Sequence, residues 1–320
     1  MPPQAQAKSV LPVVLLGCGG VGRHLLRHIV SCRPLHANQG VSIRVVGVSD
    51  SSSLLLAADD LRAGAGLDDA LLGDLCAAKS AGSPLSSLLA RGQCQLFNKP
   101  EAMSKVIDAA TMLGRTTGLV LVDCSATYDT IGVLKDAVDQ GCCVVLANKK
   151  PLTSSYVGAG LPVIASVTRI IASGDPISRI VGSLSGTLGY VMNPRDDLSG
   201  MDVARKALIL ARLLGRQISM EDINLDESIE ERVKAASLRG NVLRYVGVIE
   251  STGCQVGLQE VPKDSALGRL MGSDNVVEIY SRCYENSPLV IQGAGAGNDT
   301  TAAGVLADIV DLQDLFQKRV

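Results

Sequence analysis

Three glycines follow a short apolar run near the start of the chain. The run Val13–Leu16 ends at Gly17, and Gly19 and Gly22 precede a segment whose apolar residues have helical spacing. Between a strand and a helix, the first glycine permits a tight turn, the second lets a pyrophosphate approach the backbone, and the third lets the helix pack closely. The N-terminus of the helix offers unpaired N–H groups to phosphate. The spacing predicts a dinucleotide site; the alternative is a tight turn that binds no ligand.

Asp50 ends the next predicted strand, where an acidic residue usually bonds the adenosine ribose and favours NAD over NADP. It lies further from the glycines than the usual spacing of about 20 residues. The serines at 51–53 could instead receive a 2′-phosphate, and a turn-capping aspartate is a third interpretation. Asp50 therefore leaves the choice of cofactor open.

A pair of opposite charges lies on one predicted helix in the second half of the chain. Asp202 and Lys206 are four residues apart, so their side chains share a helix face. A lysine beside a carboxylate in a dry cleft can donate a proton to an alkoxide or polarise a carbonyl group. On spacing alone, a solvated ion pair is the better explanation.

Other polar residues follow predicted strands. The segment Asn148–Lys150 ends a strand of the type whose carboxyl end faces a ligand crevice. The segment Ser185–Thr187 could bind a carboxylate or an amino acid, although a plain turn explains it better. Cys124 could serve as a nucleophile in acyl chemistry. No histidine follows residue 36, however, so a buried thiol is favoured.

The elements that position these residues alternate in the first half of the chain. Strands are predicted at 13–16, 41–50, 118–127 and 142–150, with helices after the glycine turn and at 130–141. This order predicts right-handed βαβ units and a parallel sheet covered on both faces. A loop is expected near 78–87, where serine and glycine are frequent.

The second half mixes strands and helices in a different order. A β-rich stretch at 179–192 precedes a helix at 201–215, then a helix and a strand within 227–250, and strands at 276–284 and 288–292. A glycine-rich turn leads into a final helix. This part is expected to be an α+β domain.

Composition excludes several classes of function. The 320 residues carry a net charge of −2, with no basic block, no Trp and only two Phe, which argues against nucleic acid and membrane surfaces as partners. No apolar run is long enough to span a bilayer. The nine cysteines form no C-x-x-C pair and are expected to be reduced.

Seven motifs run in one order along nearly the whole chain. They are GCGGVG (17–22), VDCSAT (122–127), ANKK (147–150), VGAGLPVI (157–164), SGTLGY (185–190), PRDDLSGMDVARKALILAR (194–212) and GAGAGNDTTAAGVLADI (293–309). With these motifs the chain resembles homoserine dehydrogenase of the plant and fungal monofunctional kind. The long motif that contains Asp202 and Lys206 is the most specific of the seven.

The resemblance implies an NAD(P)-dependent oxidoreductase that reduces L-aspartate 4-semialdehyde to L-homoserine, a step toward threonine, methionine and isoleucine. It implies an α/β fold, with an N-terminal Rossmann-type doubly wound parallel sheet and an α+β domain for substrate binding and dimerisation. The expected domains are 1–153 for the dinucleotide, 154–296 for substrate and dimerisation, and 297–320 for a helix that returns to the nucleotide domain.

The resemblance also assigns roles to residues. The general acid–base lysine falls on Lys206, and the residues that bind substrate fall on Asp202, Asp197, Thr187 and Lys149. The cofactor-binding set is Gly17, Cys18, Gly19, Gly20, Val21, Gly22, Ser125, Lys149 and Gly297. The implied cofactor is NADP, with NAD left open.

Two segments of the family pattern are missing. The family has a longer stretch between NKKPL and VGAGLP, ending in a Glu that helps to hold a monovalent cation such as sodium. The backbone carbonyls of Val157, Ala159 and Leu161 remain, so we expect cation binding to be weakened or lost. The family also has a helix and a substrate-binding loop where Asn193 here runs directly into Pro194.

Two further interpretations follow from these features. An inactive, internally deleted variant would keep nucleotide binding and lose turnover, because deleting a helix from a packed domain exposes its core. An acylating semialdehyde dehydrogenase would need a reactive Cys paired with a His, which the sequence does not favour. We expect a small-molecule substrate, a homodimer, and a cytoplasmic location, with a plastid left open.

Overall fold

The computed structural model describes residues 9–92, 94–148, 163–183, 201–225, 236, 238–270, 274–295 and 297–317. The chain divides into two compact units. The first consists of Met1–Pro151 together with Thr301–Val320, and the second of Leu152–Thr300. The functional domains expected at 1–153, 154–296 and 297–320 stay a prediction.

The first unit is built around one six-stranded sheet. Its strands are β1 (Ser9–Leu16), β2 (Val41–Ser49), β3 (Ser53–Ala57), β4 (Cys94–Asn98), β5 (Val120–Asp123) and β6 (Cys143–Leu146), in the order β4-β3-β2-β1-β5-β6. Its helices are α1 (Gly20–Asn38), α2 (Asp69–Ser80), α3 (Lys99–Leu113) and α4 (Thr130–Asp139). The predicted strands and helices of this half are all present, and β1 starts four residues before the apolar run that predicted it.

The sheet is parallel in four strands and antiparallel in two. Strands β2, β1, β5 and β6 pair in parallel, as predicted, whereas β3 pairs antiparallel with both β2 and β4. The four predicted strands are thus parallel as expected, whereas the antiparallel strands β3 and β4 were not predicted. Only three residues separate β2 from β3, and the Asp50 N–H donates to the Ser53 carbonyl at 2.9 Å. So short a connection permits only a hairpin, because a parallel crossover needs a dozen or more residues.

Helices cover both faces of this sheet, which confirms a doubly wound arrangement. On one face α1 and α2 pack against the strands through Leu25, Ile29 and Leu72. On the other face α3 and α4 pack through Val106 and Val133. Aliphatic side chains supply nearly all of both cores, as a chain with little aromatic content requires.

The expected loop near 78–87 is shorter than predicted. Helix α2 continues to Ser80, and a short 3-10 helix begins at Leu85. The carboxylate of Asp68 caps α2 by accepting the Leu71 N–H at 2.7 Å. Polar residues here belong to a helix end as well as to the loop.

The second unit contains a second six-stranded sheet. Its strands are β7 (Ile177–Ser183), β8 (Asn224–Leu225), β9 (Asn241–Glu250), β10 (Gly253–Pro262), β11 (Asp274–Ser281) and β12 (Leu289–Ala294), in the order β12-β11-β7-β9-β10-β8. The pairs are antiparallel except β8 with β10. Helices α5 (Val163–Ala172) and α6 (Met201–Leu213) pack on one face, so the α+β prediction is confirmed.

Helix α6 corresponds to the predicted helix 201–215. Ala207, Leu208 and Ala211 are buried against the sheet, and Gly215 follows the helix end with φ +78°. For 201–206 the structure describes the backbone. The β-rich stretch 179–192 is a strand to Ser183, and its remainder lies outside the described residues.

The chain returns to the first unit near its end. Two helices, α7 (Asn298–Asp311) and α8 (Gln313–Gln317), follow the second sheet. Val305, Ile309 and Phe316 are buried in the same core as α1 and α2. The aromatic ring of Phe316 lies against Gly118, which has φ +87°.

Candidate functional site

The glycine turn after β1 is fixed by its neighbours. Gly17 has φ +96°, and a Cβ at this position would lie 2.7 Å from the backbone nitrogen of Ser125. Both the left-handed conformation and the close approach of the chain exclude a larger residue. The Gly17 N–H donates to the Ser49 carbonyl at 3.0 Å, so the turn is tied to the end of β2 as well.

The other two glycines have opposite environments. A Cβ on Gly22 would overlap the carbonyl oxygen of Gly17, so α1 approaches the turn as closely as the backbone allows. A Cβ on Gly19 would meet no atom of the described residues within 4 Å. Gly19 is the N-cap of α1, and a glycine has no side chain with which to cap the helix. The turn therefore has a packed side at Gly22 and an open side at Gly19, where first-turn N–H groups can bind phosphate.

A buried hydrogen-bond network holds the loop that follows β5. Asp123 is fully buried, and its carboxylate accepts the Ser125 N–H at 2.8 Å and the Thr130 hydroxyl at 2.7 Å. Asn148, at the end of β6, donates from Nδ2 to Asp123 Oδ2 at 3.1 Å and to the Thr127 carbonyl at 2.7 Å. These bonds fix Ser125 beside Gly17, so the structure brings together two residues that the sequence predicted in one cofactor site.

Sequence reasoning named Asn148 as part of a polar strand end but missed its partners Asp123 and Thr130. Asp123 ends β5, Thr130 begins α4, and Asn148 follows β6, which ends at Leu146. These positions alone do not reveal that the Thr130 hydroxyl and the Asn148 amide share the Asp123 carboxylate.

Asp50 is engaged within the protein through both carboxylate oxygens. Oδ1 accepts the N–H groups of Ser52 at 2.8 Å and Ser53 at 2.9 Å, which is the turn-capping geometry. Oδ2 lies 2.8 Å from Lys79 Nζ, at the end of α2. Burial alone would raise the pKa of Asp50, but the hydrogen bonds from Lys79, Ser52 and Ser53 outweigh it and leave that pKa below its ordinary value. The strand end therefore carries a lysine beside the aspartate, which the sequence did not reveal.

Cys18, in the glycine turn, and Cys124, after β5, both have a raised pKa. Burial, with the neighbouring Asp123 and Cys18, raises the pKa of Cys124 to about 12. Burial, with the neighbouring Cys76, likewise raises the pKa of Cys18 to about 12. A raised pKa disfavours the nucleophilic thiolate at neutral pH, although Cys124 is half-buried and not fully buried as expected.

Gly297 precedes helix α7 with φ +142°, a conformation that L side chains rarely adopt. A Cβ there would lie 3.5 Å from the Thr300 hydroxyl oxygen. Two residues earlier, Gly295 lies directly against the buried amide of Asn275. The backbone of this glycine-rich turn is thus restricted on the side that faces β11.

The remaining predicted residues are described in part or not at all. The backbone positions of Asp202 and Lys206 lie within α6, four residues apart. Asp197, Thr187 and Lys149, and the predicted cation ligands Val157, Ala159 and Leu161, lie outside the described residues. Their roles stay predictions.

Within the described ranges, no helix is both long enough and apolar enough to cross a bilayer.

Known proteins match this chain over nearly its whole length. A family model for homoserine dehydrogenase matches residues 192–310. Homoserine dehydrogenase from Paracoccidioides brasiliensis is 31% identical over 283 residues, which cover 63% of this chain and 76% of that protein. The bifunctional aspartokinase/homoserine dehydrogenase of Haemophilus influenzae is 29% identical over 373 residues, covering 95% of this chain and 43% of that protein.

The chain spans about two fifths of the length of its bifunctional relatives. The alignment with the Haemophilus protein runs over 373 positions although the chain has 320 residues, so that relative carries residues inside the matched region that this chain lacks. Among solved structures, a mutant hyperthermophilic archaeal homoserine dehydrogenase in complex with NADPH has the same fold. It superposes with a TM-score of 0.73 at 22% identity, covering 96% of this chain and 98% of that one.

Proposed function

The chain belongs to the homoserine dehydrogenase family, and we propose that it catalyses the NAD(P)H-dependent reduction of L-aspartate 4-semialdehyde to L-homoserine. The family match over residues 192–310 carries this proposal. The matched region contains Asp197, Asp202, Lys206 and Gly297, which are residues that the proposed reaction uses.

The glycine turn fits a nicotinamide dinucleotide. A Cβ at Gly17 or Gly22 would overlap the protein, whereas a Cβ at Gly19 would meet no described atom, and Gly19 begins an uncapped helix. The backbone N–H groups of the turn would hold the pyrophosphate, and the residues concerned are Gly17, Cys18, Gly19, Gly20, Val21 and Gly22. Ser125 lies beside Gly17 and would contact the same cofactor, with Lys149 and Gly297 near its reactive end. When bound, the nicotinamide supplies a hydride to the aldehyde carbon.

The remaining chemistry is assigned to side chains of the second half of the chain. Negative charge grows on the aldehyde oxygen as the carbonyl carbon is reduced, and the Lys206 ammonium group would stabilise it and donate the proton. Asp202, one helical turn earlier, would hold Lys206 in place. Asp197 would pair with the ammonium group of the substrate.

Thr187 and Lys149 would complete the contacts to the substrate. The Thr187 hydroxyl and the Lys149 ammonium group would bind polar groups of the amino acid aldehyde. We propose these contacts from the family pattern at positions 185–190 and 147–150.

The preferred cofactor is proposed to be NADP. The ammonium group of Lys79 lies 2.8 Å from Asp50 at the end of β2, and serines occupy 51–53. A positive charge and hydroxyl groups at this position suit a 2′-phosphate.

Turnover of the purified full chain tests the proposal. NADPH oxidation with aspartate semialdehyde is expected in the wild type and should fall roughly 100-fold or more in Lys206→Ala, the effect typical of a lost general acid. Lys105→Ala is the control, because Lys105 is exposed on α3 and pairs with Asp108. Turnover that survives Lys206→Ala would remove this lysine from the mechanism. No turnover in a wild type that still binds NADPH would instead support the inactive, internally deleted variant.

We propose three further properties with the function. The carbonyls of Val157, Ala159 and Leu161 would hold a monovalent cation such as sodium weakly, so exchanging sodium for a large organic cation should change activity little. The chain would form a homodimer, which sedimentation equilibrium measures. Its compartment would be the cytoplasm, which imaging of the tagged full-length protein tests.

A further inference from the structure

A cavity of about 560 Å³ lies at the end of the first sheet where strands β1 and β2 begin. Its walls come from the first residues of β1 and β2, from Thr117 ahead of β5, from the segment 62–65, and from Phe316 of α8. Its volume is in the range of small-molecule sites. From Pro12 in its wall to Gly17, strand β1 runs five residues, roughly 16 Å. The cavity is therefore separate from the glycine turn, which lies at the opposite edge of the sheet.

The lining of this cavity is positively charged. Arg33, Arg44 and Arg62 contribute to it, and among the residues that the structure describes no acidic side chain does. The nearby acidic residues are Asp69, which pairs with Arg33, and Asp59 and Asp60, whose charges act on Arg44. Asp59 Oδ2 accepts the Gly66 N–H at 3.1 Å, and Asp60 Oδ1 accepts the Arg62 N–H at 2.9 Å.

Arg44 is a buried cation with one unused donor. The residue is 8% exposed. Its Nη1 donates to the Gly64 carbonyl and its Nη2 to the Leu61 carbonyl at 2.5 Å, which holds the segment 61–64 against β2. Its Nε–H is buried and has no hydrogen-bond partner among the described residues. A buried charge is costly unless it is paired, and an anion in the cavity would offset the charge of this guanidinium group.

Arg33 reaches the same cavity from α1. Its Nε lies 2.6 Å from Asp69 Oδ1, and its Nη1 donates to the Ile43 carbonyl at 2.7 Å. These bonds fix the guanidinium plane at the cavity wall and use two of its three nitrogens. Arg62 is exposed and also contributes to the cavity lining.

We propose that this cavity binds a small organic oxyanion, a carboxylate or phosphate monoester with a compact apolar body. Guanidinium groups match the oxygens of such anions by paired hydrogen bonds. Val10, Pro12 and Phe316 supply an apolar wall for the rest of the ligand. The site is independent of dinucleotide binding and of the reaction proposed above.

Calorimetric titration of the full chain with phenyl phosphate tests this proposal. Phenyl phosphate should bind, inorganic phosphate should bind more weakly, and uncharged benzyl alcohol should not bind. NADP⁺ at saturation should leave the phenyl phosphate affinity unchanged, because the glycine turn is a different site.

Variants of the exposed Arg62 connect the binding to this cavity without risk to the fold. Arg62→Gln should weaken the binding of phenyl phosphate about tenfold, which is the loss expected for one charge-assisted hydrogen bond. Arg62→Lys should bind it more tightly than Arg62→Gln and less tightly than the wild type. Arg282→Gln, an exposed arginine of the second unit, should have no effect. The proposal is wrong if phenyl phosphate does not bind, if NADP⁺ displaces it, or if Arg62→Gln binds it as tightly as the wild type.

Discussion

The glycines of the first turn have two different roles, which are packing of the chain and space for a ligand. The sequence spacing alone does not distinguish these roles. Gly22 is required by packing, because any side chain would meet the Gly17 carbonyl, whereas a side chain at Gly19 would meet no described atom within 4 Å. A substitution at Gly19 should therefore affect a ligand, and one at Gly22 should affect the fold.

Gly19→Ser and Gly22→Ala test this difference as a matched pair. Serine is a good N-cap and Gly19 has extended backbone angles, so Gly19→Ser should keep or slightly raise the free energy of unfolding. It should weaken NADPH binding about tenfold, because the serine side chain fills the space for the pyrophosphate. Gly22→Ala should cost about 1–3 kcal/mol of stability through overpacking. Denaturant unfolding and fluorescence titration measure both effects, and unchanged NADPH binding in Gly19→Ser would place the phosphates elsewhere.

We expect Lys79 to determine the preference between NADPH and NADH. Lys79→Met removes the charge and keeps the length of the side chain, so it should raise the KM for NADPH about tenfold, as expected for one lost charge-assisted bond. It should leave the KM for NADH unchanged. The double variant Asp50→Asn/Lys79→Met removes the unpaired aspartate that the single change leaves. An equal rise in both KM values in the double variant would mean that Lys79 holds the turn and does not select the phosphate.

The sequence predicted the residues of this site better than their partners. Gly17 and Gly22 occupy the positions that the βαβ pattern indicates, and Ser125, assigned by the family resemblance, lies beside Gly17. The pair Asp50 and Lys79 was hidden because 29 residues separate the two, and so was the network around Asp123, whose partners come from three elements. Such contacts depend on tertiary packing and leave no periodicity in the sequence.

Among the elements, the strands β1, β2, β5 and β6 and the helices α1 and α4 could be predicted, and the antiparallel pair of β3 and β4 could not. Those two strands pair across α2 and a 3-10 helix, and no βαβ pattern identifies such a pairing. The antiparallel edge follows from the short turn at Asp50. That turn also brings Ser52 and Ser53 to the end of β2, where we expect cofactor preference to be decided.

The terminal helix α8 anchors the end of the chain to the first unit. Phe316 is 2% exposed and packs on Gly118, whereas the adjacent Leu315 is 50% exposed. Phe316→Ala should therefore lower the free energy of unfolding of this unit by about 3–5 kcal/mol, the cost of a large cavity. Leu315→Ala should change it by less than about 0.5 kcal/mol, as surface substitutions do. Equal effects in urea unfolding would mean that α8 is not docked through Phe316.

At the scale of the whole molecule, 95% of this chain aligns with the Haemophilus protein. Inside the aligned region this chain is the shorter of the two. The first unit nevertheless has a complete sheet, with helices on both faces and a well-packed glycine turn. Of the positions assigned to the substrate, Asp197 and Asp202 lie in the region 192–310 that the family model matches. The central claim is that this shorter chain still carries out the reaction.

Transfer of label to the product tests that claim most directly. The purified chain is incubated with aspartate semialdehyde and NADPH that carries deuterium at both positions of nicotinamide C4, and the product is identified by mass spectrometry. We predict homoserine with one deuterium on the carbon that was the aldehyde, formed by the wild type and formed roughly 100-fold or more slowly by Lys206→Ala. Absence of labelled homoserine, with NADPH bound and the chain folded, would contradict the claim.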